Sequence, residues 1–95
     1  MIIERAELPI HPDRAGAFAE MLAAQGKAIL ASADGCMLVQ AGRGIENPDR
    51  FILLLGWRSV EHHVAFTKTD SFAAFRALLA DYVAGAPAME HFALL

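Results

Sequence analysis

The side chains of this 95-residue chain best suited to chemistry are four histidines, one tryptophan, one cysteine and a few scattered arginines. His63 stands first, because an imidazole that titrates near neutrality can take a proton from an acidic hydroxyl. The same ring can instead bond a backbone carbonyl and orient its helix. Trp57, six residues earlier, offers either a flat wall for a ligand or a large core residue at a strand end. Arg76 can steady a developing oxyanion or make an exposed ion pair. His62 lies about 100° round a helix from His63 and is expected to face solvent. Two adjacent histidines cannot aim at one metal, so no metal site is expected. His11 and His91 are remote in sequence, and no matching carboxylate pattern accompanies them. Arg5 and Glu7 share a strand face and suit an ion pair across a subunit boundary as well as catalysis. Cys36 has no second cysteine to pair with, which excludes an intrachain disulfide and a cysteine-based zinc site. It reads as a small apolar residue.

These groups have to be held by regular elements, and the hydrophobic spacing supplies them. Ile2 to Ile10 reads as a strand, with Ala6, Leu8 and Ile10 on one face and Arg5 and Glu7 on the other. Pro9 and Pro12 stop its ladder, and Asp13 is the expected helix cap. To about Ala31, Ala15, Phe18, Leu22 and Ile29 recur at helical spacing, and Ser32 to Gly35 ends that helix. Cys36 to Gly42 and the very apolar Phe51 to Trp57 make a hairpin across the polar turn Arg43 to Asp49. Ser59 caps a short helix to about Lys68. Asp70 or Ser71 is expected to cap a second, carrying Phe72, Phe75, Leu79 and Tyr82 until Gly85 and Pro87 close it. Ala88 to Leu95 alternates as a last strand.

The order is β-α-β-β-α-β within one domain spanning residues 1–95, an α+β class with a four-stranded antiparallel sheet and helices on one face. Hydrophobic residues make up 56% of the chain, and the mean hydropathy is +0.37. So small a domain buries only about 60–65% of its unfolded surface, so part of this apolar excess needs a partner or a cavity. A second copy packed against the open sheet face is the simplest cover. The formal charge of −3 and scattered basic residues argue against nucleic acid. The longest apolar run, Phe51 to Leu55, is far too short to span a membrane. Glu4, Arg5 and Glu7 interrupt any signal-peptide core, which leads to the expectation of a cytoplasmic protein.

The run Trp57-Arg58-Ser59-Val60-Glu61-His62-His63-Val64-Ala65-Phe66, continued by Ser71-Phe72-Ala73-Ala74-Phe75-Arg76, resembles the W-x-S-x-E-x-H-x-x-F…S-x-x-F-x-x-F segment of the antibiotic biosynthesis monooxygenase domains. Pro12-Asp13 and Gly35-Cys36 also fall where that family keeps a proline–glycine and a glycine–cysteine. The resemblance implies a ferredoxin-like subunit, a homodimeric α/β barrel, and a pocket between sheet and helices for a small apolar or aromatic ligand. It further implies oxygenation of a polycyclic phenol or quinol with dioxygen and no cofactor. His63 would then be the base, Trp57 the platform and Arg76 the oxyanion partner, with Phe18, Leu22, Phe66 and Tyr82 lining the pocket. His63 stands where the phenol-oxygenating members place a tyrosine, and Leu53 where they carry an asparagine. The haem-degrading members' asparagine and histidine are both missing, since no asparagine precedes Asn47 and Thr67 holds the second position. Two other readings stay open: a dimer that binds a hydrophobic molecule without turnover, and a small-molecule isomerase.

Overall fold

The computed structural model describes residues 1–95 and realises the expected order. Strand β1, Ile2–Pro9, is followed by a single tight turn, Pro12–Arg14, and helix α1. Helix α1 is continuous but not uniform: α-helical Ala15–Met21 passes through a wider π-turn, Leu22–Gly26, into α-helical Lys27–Ala31. Strands β2, Cys36–Arg43, and β3, Arg50–Trp57, form the hairpin. Helices α2, Val60–Phe66, and α3, Asp70–Ala80, precede the edge strand β4, Ala88–Ala93. The sheet is antiparallel in the order β2-β3-β1-β4.

Several local expectations need correction. Asp13 does not cap α1, because Pro12 turns the chain first and Asp13 falls inside that turn with no side-chain cap bond. Neither Asp70 nor Ser71 caps α3. Thr69, in extended backbone, accepts the Phe72 N–H instead, and Asp70 lies in the first turn, where its charge suits the helix's positive end. Ser59 caps α2 as expected, accepting from the His62 N–H. Strand β4 stops at Ala93 rather than Leu95.

The period of two along the central strands sorts their side chains cleanly. Glu4, Ala6 and Leu8 of β1 and Phe51, Leu53, Leu55 and Trp57 of β3 turn to the helices and are buried. Ile3, Arg5, Ile52 and Leu54 turn to the uncovered face. The core holds two aromatic clusters. In one, Phe18 meets Phe51 edge-on at 4.8 Å and Tyr82 at 5.4 Å. In the other, Trp57 packs with Phe66 at 5.7 Å, and Phe66 with Phe72 at 5.5 Å.

Two glycines set the spacing of these layers. A Cβ on Gly26, inside the π-turn, would stand 3.4 Å from Phe75 Cε1 and 3.0 Å from Leu22 Cδ2, so its absence lets α1 and α3 close together. Gly35 adopts φ +80°, and a Cβ there would meet the His62 ring at 2.4 Å. His62 is therefore half-buried under this turn rather than facing solvent, and its Nδ1 lies 2.7 Å from Ser59 Oγ. The Gly35 carbonyl also accepts the Arg58 N–H at 2.8 Å. Together these contacts fix where α2 starts, and so where His63 points.

Candidate functional site

Between sheet and helices lies a cavity of about 480 Å³, within the roughly 300–1,000 Å³ typical of small-molecule sites. Its floor is the inward face of β1 and β3: Ala6, Leu8, Leu53, Leu55 and Trp57. Phe66 and Phe75 wall it from the helices. Thr67, Arg76, Ala80, Pro87 and Met89 line it while remaining exposed, so they form its rim. The segment after α3 is held beside that rim by β1: His11 N–H donates to Tyr82 O at 2.9 Å and Ala84 N–H to Pro9 O at 2.8 Å.

One end of this apolar chamber is polar. Trp57 Nε1–H donates to Glu4 Oε1 at 2.9 Å. His63 Nε2 lies 3.2 Å from the same oxygen, and His63 Nδ1 lies 2.7 Å from His91 Nε2. The imidazole of His63 also stacks on the indole, with centroids 5.1 Å apart and planes 21° from parallel. Glu4 and His63 are each 7% exposed, the only buried polar or charged residues in the chain. A buried carboxylate is costly unless charge-assisted hydrogen bonds replace its water, and Trp57 and His63 supply two.

With Glu4 ionised, the geometry sets the protons. The carboxylate can only accept, so His63 Nε2 carries the hydrogen that points at Glu4. In a neutral ring Nδ1 is then an acceptor, and His91 Nε2–H must donate to it. Burial holds the His63 pKa below the ordinary histidine value; Glu4 opposes that shift and His91 adds to it. His63 is accordingly a neutral connector. Glu4 Oε2 takes no hydrogen bond within the chain, yet no buried side-chain oxygen lacks a partner. That oxygen therefore keeps accessible surface, and Glu4 lines the cavity.

His63, Trp57, Arg76 and Phe66 thus all reach the cavity. Both ring nitrogens of His63 are engaged, so its free edge toward a ligand carries no lone pair. Phe18 and Leu22 lie in the adjoining core and do not line the chamber. Tyr82 does not line it either: its ring packs on Phe18, with Arg14 4.7 Å from its centroid. Arg5 pairs with Glu7 on its own strand. The half-buried Cys36 thiol is pushed up in pKa, chiefly by burial.

Two residues escaped the sequence reading. Glu4 shares parity with Ala6, Leu8 and Ile10, so strict alternation along β1 already turned it inward. His91 has no such local signal, because only the pairing of β4 with β1, which sets Glu4 opposite His91, brings it to the site. No group of three His, Cys, Asp or Glu side chains could hold a metal ion. Glu4, His63 and His91 form a line, since His63 uses opposite ring nitrogens for its two neighbours. No helix is long and apolar enough to cross a membrane.

The model of the antibiotic biosynthesis monooxygenase family matches residues 1–78. A Bordetella bronchiseptica structure bearing that family's name is 30% identical, with 99% of this chain and 96% of that one covered and a TM-score of 0.92. A Caulobacter crescentus structure of the same name is 24% identical over 99% of this chain and 89% of that one, with a TM-score of 0.84. One from Nitrosomonas europaea, 19% identical over 100% and 99%, reaches 0.86. At those lower identities the likeness is one of fold. No curated protein matches the chain.

Proposed function

Because the chain belongs to the antibiotic biosynthesis monooxygenase family, we propose that it is a cofactor-independent oxygenase of a small aromatic phenol or quinol, with Glu4 as the base. One observation carries this reading. A buried carboxylate, held on one oxygen by Trp57 and His63, lines a mostly apolar chamber, and its other oxygen is accessible and takes no hydrogen bond within the chain. Such a group is a fixed proton acceptor with its solvation already replaced by protein donors.

For a phenolic ring bearing an acidic methylene, Glu4 removes a proton and leaves a delocalised anion. The anion passes one electron to dioxygen, and the radical pair closes a carbon–oxygen bond to give a peroxide anion, which takes the proton held on Glu4 and becomes the hydroperoxide. Loss of water from that hydroperoxide leaves a carbonyl. The methylene carbon gives up four electrons and dioxygen takes all four, so no external reductant is needed. Arg76 at the rim is the cation available to steady negative charge, and Phe66, Leu55 and Trp57 exclude water around the ring. Leu53 fills the place where phenol-oxygenating relatives keep an asparagine. Here the polar group comes from the adjacent strand, since Glu4 pairs with Leu55, two residues along the same face.

The active unit of this reading is a homodimer in which the open sheet face meets its twin. Dioxygen uptake with dithranol and related polycyclic phenols that bear an acidic ring methylene tests the activity. Uptake that depends on Glu4 supports it, and none across the panel overturns it. An enolising isomerase is the second reading, favoured by the same free carboxylate oxygen, which can return its proton to a neighbouring carbon. Turnover that persists without oxygen would select it.

A further inference from the structure

We propose that His91 is the outer end of a proton wire, His91–His63–Glu4, through which Glu4 exchanges protons with solvent. The proposal rests on Glu4 being the proton acceptor of the cavity. A base enclosed by apolar walls needs a route by which it reaches its ionised state before turnover, and Glu4 is 7% exposed. The cavity side of Glu4 is where a ligand sits. Its other side runs through 3.2 Å to His63 and a further 2.7 Å to His91, a half-buried residue of the edge strand β4. His91 Nδ1 makes no hydrogen bond within the chain and is not a buried orphan, so it keeps access to solvent.

The line has two fully bonded states. With Glu4 ionised, His91 Nε2–H points to His63 Nδ1, and His63 Nε2–H points to Glu4. A proton arriving at His91 Nδ1 releases the Nε2 proton to His63 Nδ1, which releases its own Nε2 proton to Glu4 Oε1. Every hydrogen bond then reverses: Glu4 donates to His63 Nε2, and His63 Nδ1–H donates to His91 Nε2. One proton has crossed, and no imidazolium is left behind. Run backwards, the same transfers carry a proton from Glu4 Oε1 out through His91 Nδ1 to solvent and leave Glu4 ionised. A plain structural brace needs only one of these arrangements. It also does not need its outer ring to be histidine, because any donor to His63 Nδ1 would hold the ring.

Protein labelled with ¹⁵N-histidine tests the wire directly. A scalar coupling between His63 Nδ1 and His91 Nε2 across the hydrogen bond is expected in the unmodified chain, and its absence overturns the proposal whatever the variants do. In His91→Gln the amide still donates to His63 Nδ1 but cannot relay. The His63 Nε2–H should then exchange with water about tenfold more slowly or beyond, while the fold, checked by its thermal midpoint, is kept. An unchanged exchange rate means that protons reach Glu4 through the cavity mouth, and the wire is wrong. An intact coupling with slowed exchange, in a protein that takes up no dioxygen, supports the wire and overturns only the oxygenase reading. Uptake without the coupling does the reverse.

Discussion

Trp57 and Glu4 meet diagonally across the β1–β3 pair, the indole Nε1–H donating to Glu4 Oε1 at 2.9 Å although 53 positions separate them in the chain. Trp57 is fully buried, so this bond and the stacked His63 ring hold one carboxylate oxygen fixed at the end of an apolar chamber. The other oxygen takes no hydrogen bond within the chain and keeps accessible surface.

Glu4→Gln is the most direct probe of that free oxygen. The amide is isosteric and its carbonyl can still accept from Trp57, so the fold should survive with a thermal midpoint within a few degrees of the parent. A carboxamide is not a base, and losing a positioned base costs about 10²–10⁴-fold in rate. Dioxygen uptake with dithranol should fall on that scale while the substrate still binds. A variant that turns over like the parent would remove Glu4 from the chemistry.

Trp57→Phe should act on stability and on activity together. It deprives a buried carboxylate of a charge-assisted donor, worth about 1.5–3 kcal/mol, and leaves part of the indole's volume empty. A loss of about 2–4 kcal/mol in urea unfolding is expected. Were Trp57 only a hydrophobic filler, the loss would stay near the cavity term alone, about 1 kcal/mol.

The order of elements was legible because each carries its own periodicity. The stripe Ala15, Phe18, Leu22, Ile29 announces α1, and the run Phe51 to Leu55 announces the central strand. The resemblance of the segment from Trp57 to Arg76 to the family's pattern points to Trp57 and His63 as pocket residues without any knowledge of pairing. Phe18 and Leu22 show where that logic ends: helical spacing identifies an inward face, but not which part of the interior is filled and which is hollow. The partnership of His91 depends on the β1–β4 register, the start of α1 on the turn that Pro12 opens, and the cap of α3 on competition among Thr69, Asp70 and Ser71. None of these is encoded in local pattern.

Acid should destabilise the fold through His63. Burial keeps this ring neutral in the native state, its pKa below the ordinary value, whereas in the unfolded chain it titrates near about 6.5. As pH falls through that value the unfolded state binds a proton that the native state refuses, so stability drops. The loss continues until the native ring protonates too, at a slope of at most about 1.4 kcal/mol per pH unit. Thermal midpoints should therefore decline between about pH 7.5 and pH 5.5, and less steeply in His63→Gln, whose amide keeps a donor to Glu4 without titrating. Equal slopes in the two proteins would show that His63 does not govern this window.

Leu54→Asp tests what covers the outer face of the sheet. Leu54 sits between Arg5 and Gln40 on that face, beside Ile3, Ile52 and Leu38, and Phe92 on the edge strand is 44% exposed. In a lone subunit a carboxylate at this position meets water and costs little. Pressed against a second sheet it loses that water, at several kcal/mol for each copy. Sedimentation velocity at low micromolar concentration should therefore find a dimer for the parent and a folded monomer for the variant. In a two-fold dimer built on this face the substitution occurs once in each copy, so one change counts twice. A parent chain that sediments as a single subunit would leave this face in water and remove the twin from the proposed active unit.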